Sequence, residues 1–253
     1  MLSMLLARWK QGKRTIPFPL PSPELPERYR GLPVLQPERC PSGCRLCVDQ
    51  CPTQALQLGS EGRPRLDLGR CLLCPECQDA CPHGALQFSR DFRMAARRRE
   101  DLWIDGALQK QARLLDEKIR KLFGRSLKLR QVSAGGCNGC EADVNVLNTI
   151  TFDLGRFGIQ FVASPRHADG ILITGAVSEN MKQALQDTYK AVPSPKIVIA
   201  VGACAISGGP FRDHSEVGNG VEGRWPVDLY IPGCPPHPLT ILDGLLRLLG
   251  KLG

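Results

Sequence analysis

Beyond residue 127 the chain alternates between two hydrophobic rhythms. Short runs dense in aliphatic and β-branched residues fall at 128–133, 159–163, 171–174, 196–201 and 228–231 and predict strands. Stretches at 141–151, 179–191 and 239–249 carry apolar residues at helical spacing and predict helices. The order β-α-β-β-α-β-β-α predicts an α/β fold with a doubly wound, mainly parallel sheet. In such sheets ligands collect beyond the carboxyl ends of the strands, so chemistry is expected in the loops that follow them.

The first half is patterned differently. Residues 40–89 contain an internal repeat: CPSGCRLCVDQCPTQALQL aligns with CLLCPECQDACPHGALQF, each a cysteine run, a Cys-Pro and a short apolar strand. Between them GSEGRPRLDLGR reads as a turn and a strand. Ahead of the repeat, Pro17, Pro19, Pro21, Pro23, Pro26, Pro33 and Pro37 fix φ and remove backbone donors, which predicts an extended tether. Leu2, Leu5, Leu6 and Trp9 fall at helical spacing among Arg8, Lys10, Lys13 and Arg14. They read either as a short amphipathic helix on a membrane or partner surface or as a frayed terminus. After the repeat comes a charged connector, expected to be helical over 106–123 with Leu108, Ala112, Leu115, Ile119 and Leu122 on its apolar face. Its Arg97–Arg99 run reads as a solvated or partner-facing surface rather than a nucleic-acid site. The expected organisation is therefore 1–37 amphipathic start and tether, 38–90 first domain, 91–127 connector and 128–253 second domain.

Cysteine spacing adds the chemistry. The chain has 12 Cys in 253 residues, and they form three sets of four. Cys71-x2-Cys74-x2-Cys77-x3-Cys81-Pro82 has the spacing in which three thiolates wrap one [4Fe–4S] cubane and the fourth, before proline, reaches its neighbour. Cys40-x3-Cys44-x2-Cys47-x3-Cys51-Pro52 has one extra residue in its first gap, where Pro41, Ser42 and Gly43 can bulge. A ferredoxin-like domain follows, with one cluster on Cys40, Cys44, Cys47 and Cys81 and a second on Cys71, Cys74, Cys77 and Cys51. Zinc knuckles are the alternative, because Cys-x2-Cys also suits tetrahedral zinc. The third close cysteine and the Cys-Pro of each run favour the cubanes.

The remaining four are Cys137 and Cys140 in GGCNGC, Cys204 in GAC and Cys234 in IPGCPP. Each follows a predicted strand, so their loops can converge on a third [4Fe–4S] cluster. Gly135, Gly136, Gly139, Gly202 and Gly233 let the backbone approach it. Two disulfides are the alternative. The apolar start is short and broken by Arg8 and Lys10, so no secretory signal is expected, and a reducing compartment disfavours disulfides. The longest apolar stretch, 239–249, is interrupted by Asp243 and Arg247, so no membrane span is expected.

Charge changes the picture less than it first promises. The formal net charge of +8 counts thiols as neutral. An oxidised cubane with four thiolates carries about two negative charges, so three would remove about six. With 6% aromatic residues, little remains to support nucleic-acid binding.

GGCNGCEADV, SPRHADGILITGAV, GACAISGGPF and VDLYIPGCPPHP resemble the small subunit of membrane-bound, energy-converting [NiFe] hydrogenases of the formate hydrogenlyase type. They also resemble its relative, the 20-kDa subunit of respiratory complex I. Complex I subunits have two adjacent cysteines at the first position, whereas Cys137-Asn138-Gly139-Cys140 stands here, as in the hydrogenases. The first half, with its basic amphipathic start, Tyr29-Arg30-Gly31 and paired runs, resembles the dicluster ferredoxin subunit of the same complexes. The chain looks like a fusion of the two. The resemblance implies a flavodoxin-like second domain in which Cys137, Cys140, Cys204 and Cys234 hold the cluster next to a large catalytic subunit. Glu141, Arg166 and His167 lie in matching motifs and are expected around it.

With all 12 cysteines committed to clusters, none is left for nickel, and no catalytic residue is expected in this chain. The expected function is an oxidoreductase subunit that relays electrons through three [4Fe–4S] clusters. Its implied partners are a large [NiFe]-hydrogenase-type subunit, membrane subunits and a ferredoxin or formate dehydrogenase-type donor. Its implied place is the cytoplasmic face of the cell membrane, held peripherally. The alternatives are a quinone-reducing complex I-type subunit and a non-catalytic assembly or redox-sensing iron–sulfur protein.

Overall fold

The computed structural model describes residues 2–20, 23–59, 62–106, 112, 121–123 and 125–252. The first helix, α1 (Leu2–Gln11), buries none of its residues. After it the repeat folds as β1 (Pro33–Leu35), α2 (Leu46–Asp49), β2 (Leu56–Leu58), β3 (Pro64–Asp67), α3 (Glu76–Asp79) and β4 (Leu86–Phe88). β2 and β4 are the apolar strands expected after each Cys-Pro, and β3 is the strand expected between the halves. β1 pairs antiparallel with β4, Val34 opposite Gln87, and β2 pairs antiparallel with β3, Gln57 opposite Arg65. Strands this short carry little stability alone. They are held by an apolar centre of Leu35, Leu56, Leu66 and Leu86, into which Cys47, Cys71 and Cys77 are also buried.

The connector does more than connect. Its β5 (Trp103–Ile104) adds to β3 as a third strand, with Leu66 opposite Ile104. Met94, Ala95 and Ala96 are buried. The helix expected over 106–123 lies mostly outside the described residues, Leu108, Leu115 and Ile119 among them. At its described end Phe123 is buried and Leu122 is 60% exposed, so the inward face there belongs to Phe123.

The second half follows the predicted order closely. It runs β6 (Leu127–Ser133), α4 (Gly139–Val146), β7 (Ile159–Phe161), β8 (Gly170–Thr174), α5 (Glu179–Ala191), β9 (Ile197–Val201), α6 (Ala203–Ser207), β10 (Leu229–Ile231) and α7 (Pro238–Leu248). Short α6 is an addition to the expected set. All four pairings are parallel, and the strand order is β10-β9-β8-β6-β7. Counted from β6 as the first strand, that is the 2-1-3-4-5 order of the flavodoxin-like folds, with its switch point between β6 and β8. Every residue of β8 and β9 is buried, as central strands covered on both faces require. The free edge of β10 is closed by the connector: Ala96 N–H donates to the Tyr230 carbonyl at 3.0 Å and Tyr230 N–H returns a bond at 2.8 Å.

α7 is buried along nearly its whole length, including Asp243. Arg247 Nε meets both carboxylate oxygens of Asp243 at 3.1 and 2.9 Å, which explains two charges in an otherwise apolar helix. No helix among the described residues is long and apolar enough to cross a membrane. The proline-rich segment is extended but not loose. Ile16 N–H donates to Thr151 O at 2.9 Å, Thr15 Oγ1 to Ile150 O at 2.9 Å, and Arg156 Nη2 to Ile16 O at 2.9 Å. These bonds strap the start of the chain to the loop after α4 and fix where α1 leaves the surface.

Candidate metal centres

The twelve thiols are all unbridged and stand in three groups of four. In the first group, Cys40, Cys44, Cys47 and Cys81 line one cavity with Leu35, Leu46 and Pro82. Burial pushes the Cys47 thiol up to about 11, with repulsion from Cys40, Cys81 and Cys44 adding to it. The extra residue of the first gap is absorbed at Gly43, whose φ is +78°. In the second group, burial and then Cys51, Cys74 and Cys47 push Cys77 up to about 12. Burial also raises Cys71, which faces Cys77, Cys51 and Cys74. Cys81 of the second run thus stands with the first group and Cys51 of the first run with the second. That is the arrangement of thiols that an exchange of fourth ligands would need.

Backbone donors already point at these sulfurs: Ala55 N–H lies 3.2 Å from Cys51 Sγ and Leu73 N–H 3.4 Å from Cys71 Sγ. Arg30, on the tether, donates to the Leu73 carbonyl at 2.8 Å and steadies that loop from outside.

The third group forms where the topology places it, beyond the carboxyl ends of β6, β9 and β10. Burial, then Cys204, Glu141, Cys234 and Cys137, raise the Cys140 thiol. Cys204 is pushed up to about 11 by burial, Cys234, Cys137 and Glu141. The loops meet because nothing stands between them. Gly202 has φ +91°, and a Cβ there would lie 2.5 Å from Cys140 Sγ. Ala203 N–H donates to Gly233 O at 2.9 Å and joins the loops after β9 and β10.

Glu141 sits in the first turn of α4, buried against Cys140 and Cys204. Its Oε1 accepts from Ser133 Oγ at 2.6 Å and Thr174 Oγ1 at 2.7 Å. Burial raises its pKa, but these bonds and its own N–H outweigh that and hold it below the usual carboxylate range. Arg166 and His167 lie on a turn in the return from β7 to β8, whereas Glu141 stands against Cys140 and Cys204.

Among the described residues, no three of His, Cys, Asp and Glu converge as the ligands of a single ion do. The donor set fits cubanes. Each group brings four thiols near one another, the first lines a largely apolar cavity, and backbone N–H groups reach Cys51 and Cys71 of the second. Four neighbouring thiols, at least one of them buried in each group, resist ionising together, and cationic iron would remove that obstacle.

The family described as NADH ubiquinone oxidoreductase, 20 Kd subunit, matches residues 137–248, and the 4Fe-4S dicluster domain matches residues 34–85. Over 135 residues the chain is 41% identical to the probable membrane-bound hydrogenase subunit mbhJ of Pyrococcus furiosus, covering 53% of this chain and 81% of that protein. The chain belongs to the 20 Kd subunit family. It is also 46% identical over 134 residues to formate hydrogenlyase subunit 7 of Escherichia coli, covering 53% of this chain and 52% of the relative. It therefore spans about half the length of that protein. It is 47% identical over 114 residues to an NADH-quinone oxidoreductase subunit of Geotalea uraniireducens, covering 45% and 66% of the two chains.

Two features of this 20 Kd family member escaped the sequence. Ser133 and Thr174 carry no motif of their own, and only the adjacency of β6 and β8 makes them donors to Glu141. Arg99 is not on a solvated surface: its guanidinium forks onto fully buried Asp67. The available signal was Asp67 itself, a charge between apolar Leu66 and Leu68 at the end of a short strand.

Proposed function

We propose that the chain is the electron-relay subunit of a membrane-bound, complex I-related hydrogenase-type complex, holding three [4Fe–4S] clusters that serve a large catalytic subunit. The observation that carries this reading is the continuity of the thiol groups. Cys47 faces Cys77, which brings the first group beside the second, and Cys74 faces Cys234, which brings the second beside the third. When bound, each cluster takes up and gives back one electron at a time. The chain's own residues supply the rest. The cysteines release their protons on loading, the apolar walls exclude water, the N–H groups aimed at sulfur stabilise negative charge, and Glu141 keeps a buried carboxylate at the third site.

Cys137 and Cys234 are exposed. That face is where the large partner subunit would seat, and the ferredoxin or formate dehydrogenase-type donor would deliver electrons at the first group. Anaerobic assay of the purified chain is expected to return about twelve irons and twelve acid-labile sulfides. Stoichiometric zinc with little sulfide would overturn the reading.

The attachment to the complex is expected at α1, at the cytoplasmic face of the membrane. Trp9 is 82% exposed, with Leu2, Met4, Leu5 and Leu6 also bare, and Arg8, Lys10, Lys13 and Arg14 surround them without an acidic residue. Such a helix binds modestly and more weakly as salt rises. Removal of residues 1–14 is expected to lower recovery of the assembled complex with membranes, and most at high ionic strength. Unchanged recovery rules the anchor out.

The likeness to a quinone oxidoreductase subunit favours one second reading, in which the large partner passes electrons to quinone. Hydrogen output and quinol output from the assembled complex separate the two.

A further inference from the structure

We propose that Asp67, Arg99 and Ser207 are positioning residues that lock the loop of the second thiol group against the helix bearing Cys204, and so set the separation of the second and third clusters. The proposal rests on the relay reading above. Asp67 closes β3 just ahead of Cys71 and is fully buried. Its carboxylate receives the Arg99 fork, Nη1 to Oδ1 at 2.7 Å and Nη2 to Oδ2 at 2.5 Å. Oδ1 also accepts the Gly69 N–H at 2.9 Å, and Arg70 Nε lies 3.4 Å from Oδ2. A bidentate pair of this kind specifies orientation as well as distance.

Arg99 is held in turn by the parallel-sheet half. Its segment is hydrogen-bonded on both sides of Ala96 to Tyr230 of β10, and its Nε lies 3.7 Å from Glu222 Oε1. A second tie runs alongside. Ser207, the last residue of α6 and fully buried, donates to the Gly69 carbonyl at 2.9 Å. Gly69 has no room to spare: a Cβ there would stand 2.9 Å from Ile206 Cγ2 and 3.0 Å from Arg99 Cζ. The backbone ahead of Cys71 is therefore pressed onto the helix that starts beside Cys204.

Two halves of a chain move relative to one another by default unless their interface prevents it. A buried ion pair often adds no stability over apolar packing, and the contribution it makes here is a single geometry. Electron transfer depends steeply on separation, so slack between the second and third groups would slow the one internal step that crosses the interface.

The test uses Ser207→Ala and Arg99→Lys in the full chain. Lysine keeps the charge and loses the fork. Iron and sulfide are assayed, and reduced, frozen protein is examined by electron paramagnetic resonance for magnetic interaction between cluster pairs. Each variant is expected to keep wild-type iron, sulfide and spin intensity. The interaction between the second and third clusters is expected to change, that between the first and second to stay as in wild type, and second-to-third transfer after flash reduction to slow relative to wild type. A generally loosened fold would not spare the first pair. Wild-type interaction and rate in both variants overturn the proposal. If Arg99→Lys does not fold, Ser207→Ala, which removes one hydroxyl, decides alone. Wild-type protein without iron, or without interaction between any pair, overturns the relay reading and this proposal together, and it does so before any substitution is made.

Discussion

Cys204→Ala is expected to leave two of the three proposed clusters in place and to stop electrons at the second. Cys204 lies at the first turn of α6, beyond β9, and takes no part in the loops that hold the other eight thiols. Its loss removes a direct ligand, whereas loss even of an outer partner costs roughly 10–100-fold in metal affinity, so the third site empties. The small cavity left by one sulfur falls in the first turn of α6, backed by fully buried Ala205 and Ile206, so β9 and β10 keep their pairing. A low-potential donor then reduces the first two clusters, and neither hydrogen nor quinol follows. Co-purification with the large subunit is the control, because the emptied face is the one expected to dock. Normal turnover in an assembled Cys204→Ala complex would put the third site outside the electron path and favour a structural or sensing role for the clusters.

Cys51→Ala is expected to abolish or convert the second cluster while the first survives, although Cys51 belongs to the first cysteine run. The reason is spatial: Cys51 faces Cys71 and Cys77 and accepts a bond from Ala55 N–H at 3.2 Å, whereas Cys81 stands with Cys40 and Cys47. Because the second group faces both of the others, turnover is expected to fall by more than the roughly 10–100-fold that loss of an outer partner costs. Paramagnetic resonance of the reduced variant reads the outcome. Loss confined to the first cluster would mean that each run wraps its own cubane, contrary to the exchange.

Much of this molecule is legible one residue at a time. Runs such as Ile197–Val201 have to become buried parallel strands, because five consecutive apolar, mostly β-branched residues find no half-exposed surface to suit them. The two ferredoxin-type runs suggest their ligand sets by spacing, because three closely spaced thiolates can wrap one cubane while the fourth, before proline, reaches its neighbour. Glycines at the GGCNGC, GAC and GCPP loops likewise announce close approach, as the 2.5 Å between a Cβ at Gly202 and Cys140 Sγ bears out.

Periodicity is silent on what depends on residues distant in sequence meeting in space. The prolines of the tether predict extension but not the bonds from Ile16 and Thr15 that strap it down. Arg97–Arg99 reads as a charged surface because charge runs usually are solvated, yet Arg99 is drawn inward by Asp67, 32 positions earlier. Ser207 and Gly69 meet over 138 positions. A local pattern carries information only about neighbours within a strand or a helical turn. What the sequence by itself determined is therefore most of the elements, the order of those in the second half and the three sets of four cysteines. The tertiary structure alone decided the spacing of those sets, because it follows from which loops the β10-β9-β8-β6-β7 sheet and the buried ion pair press together.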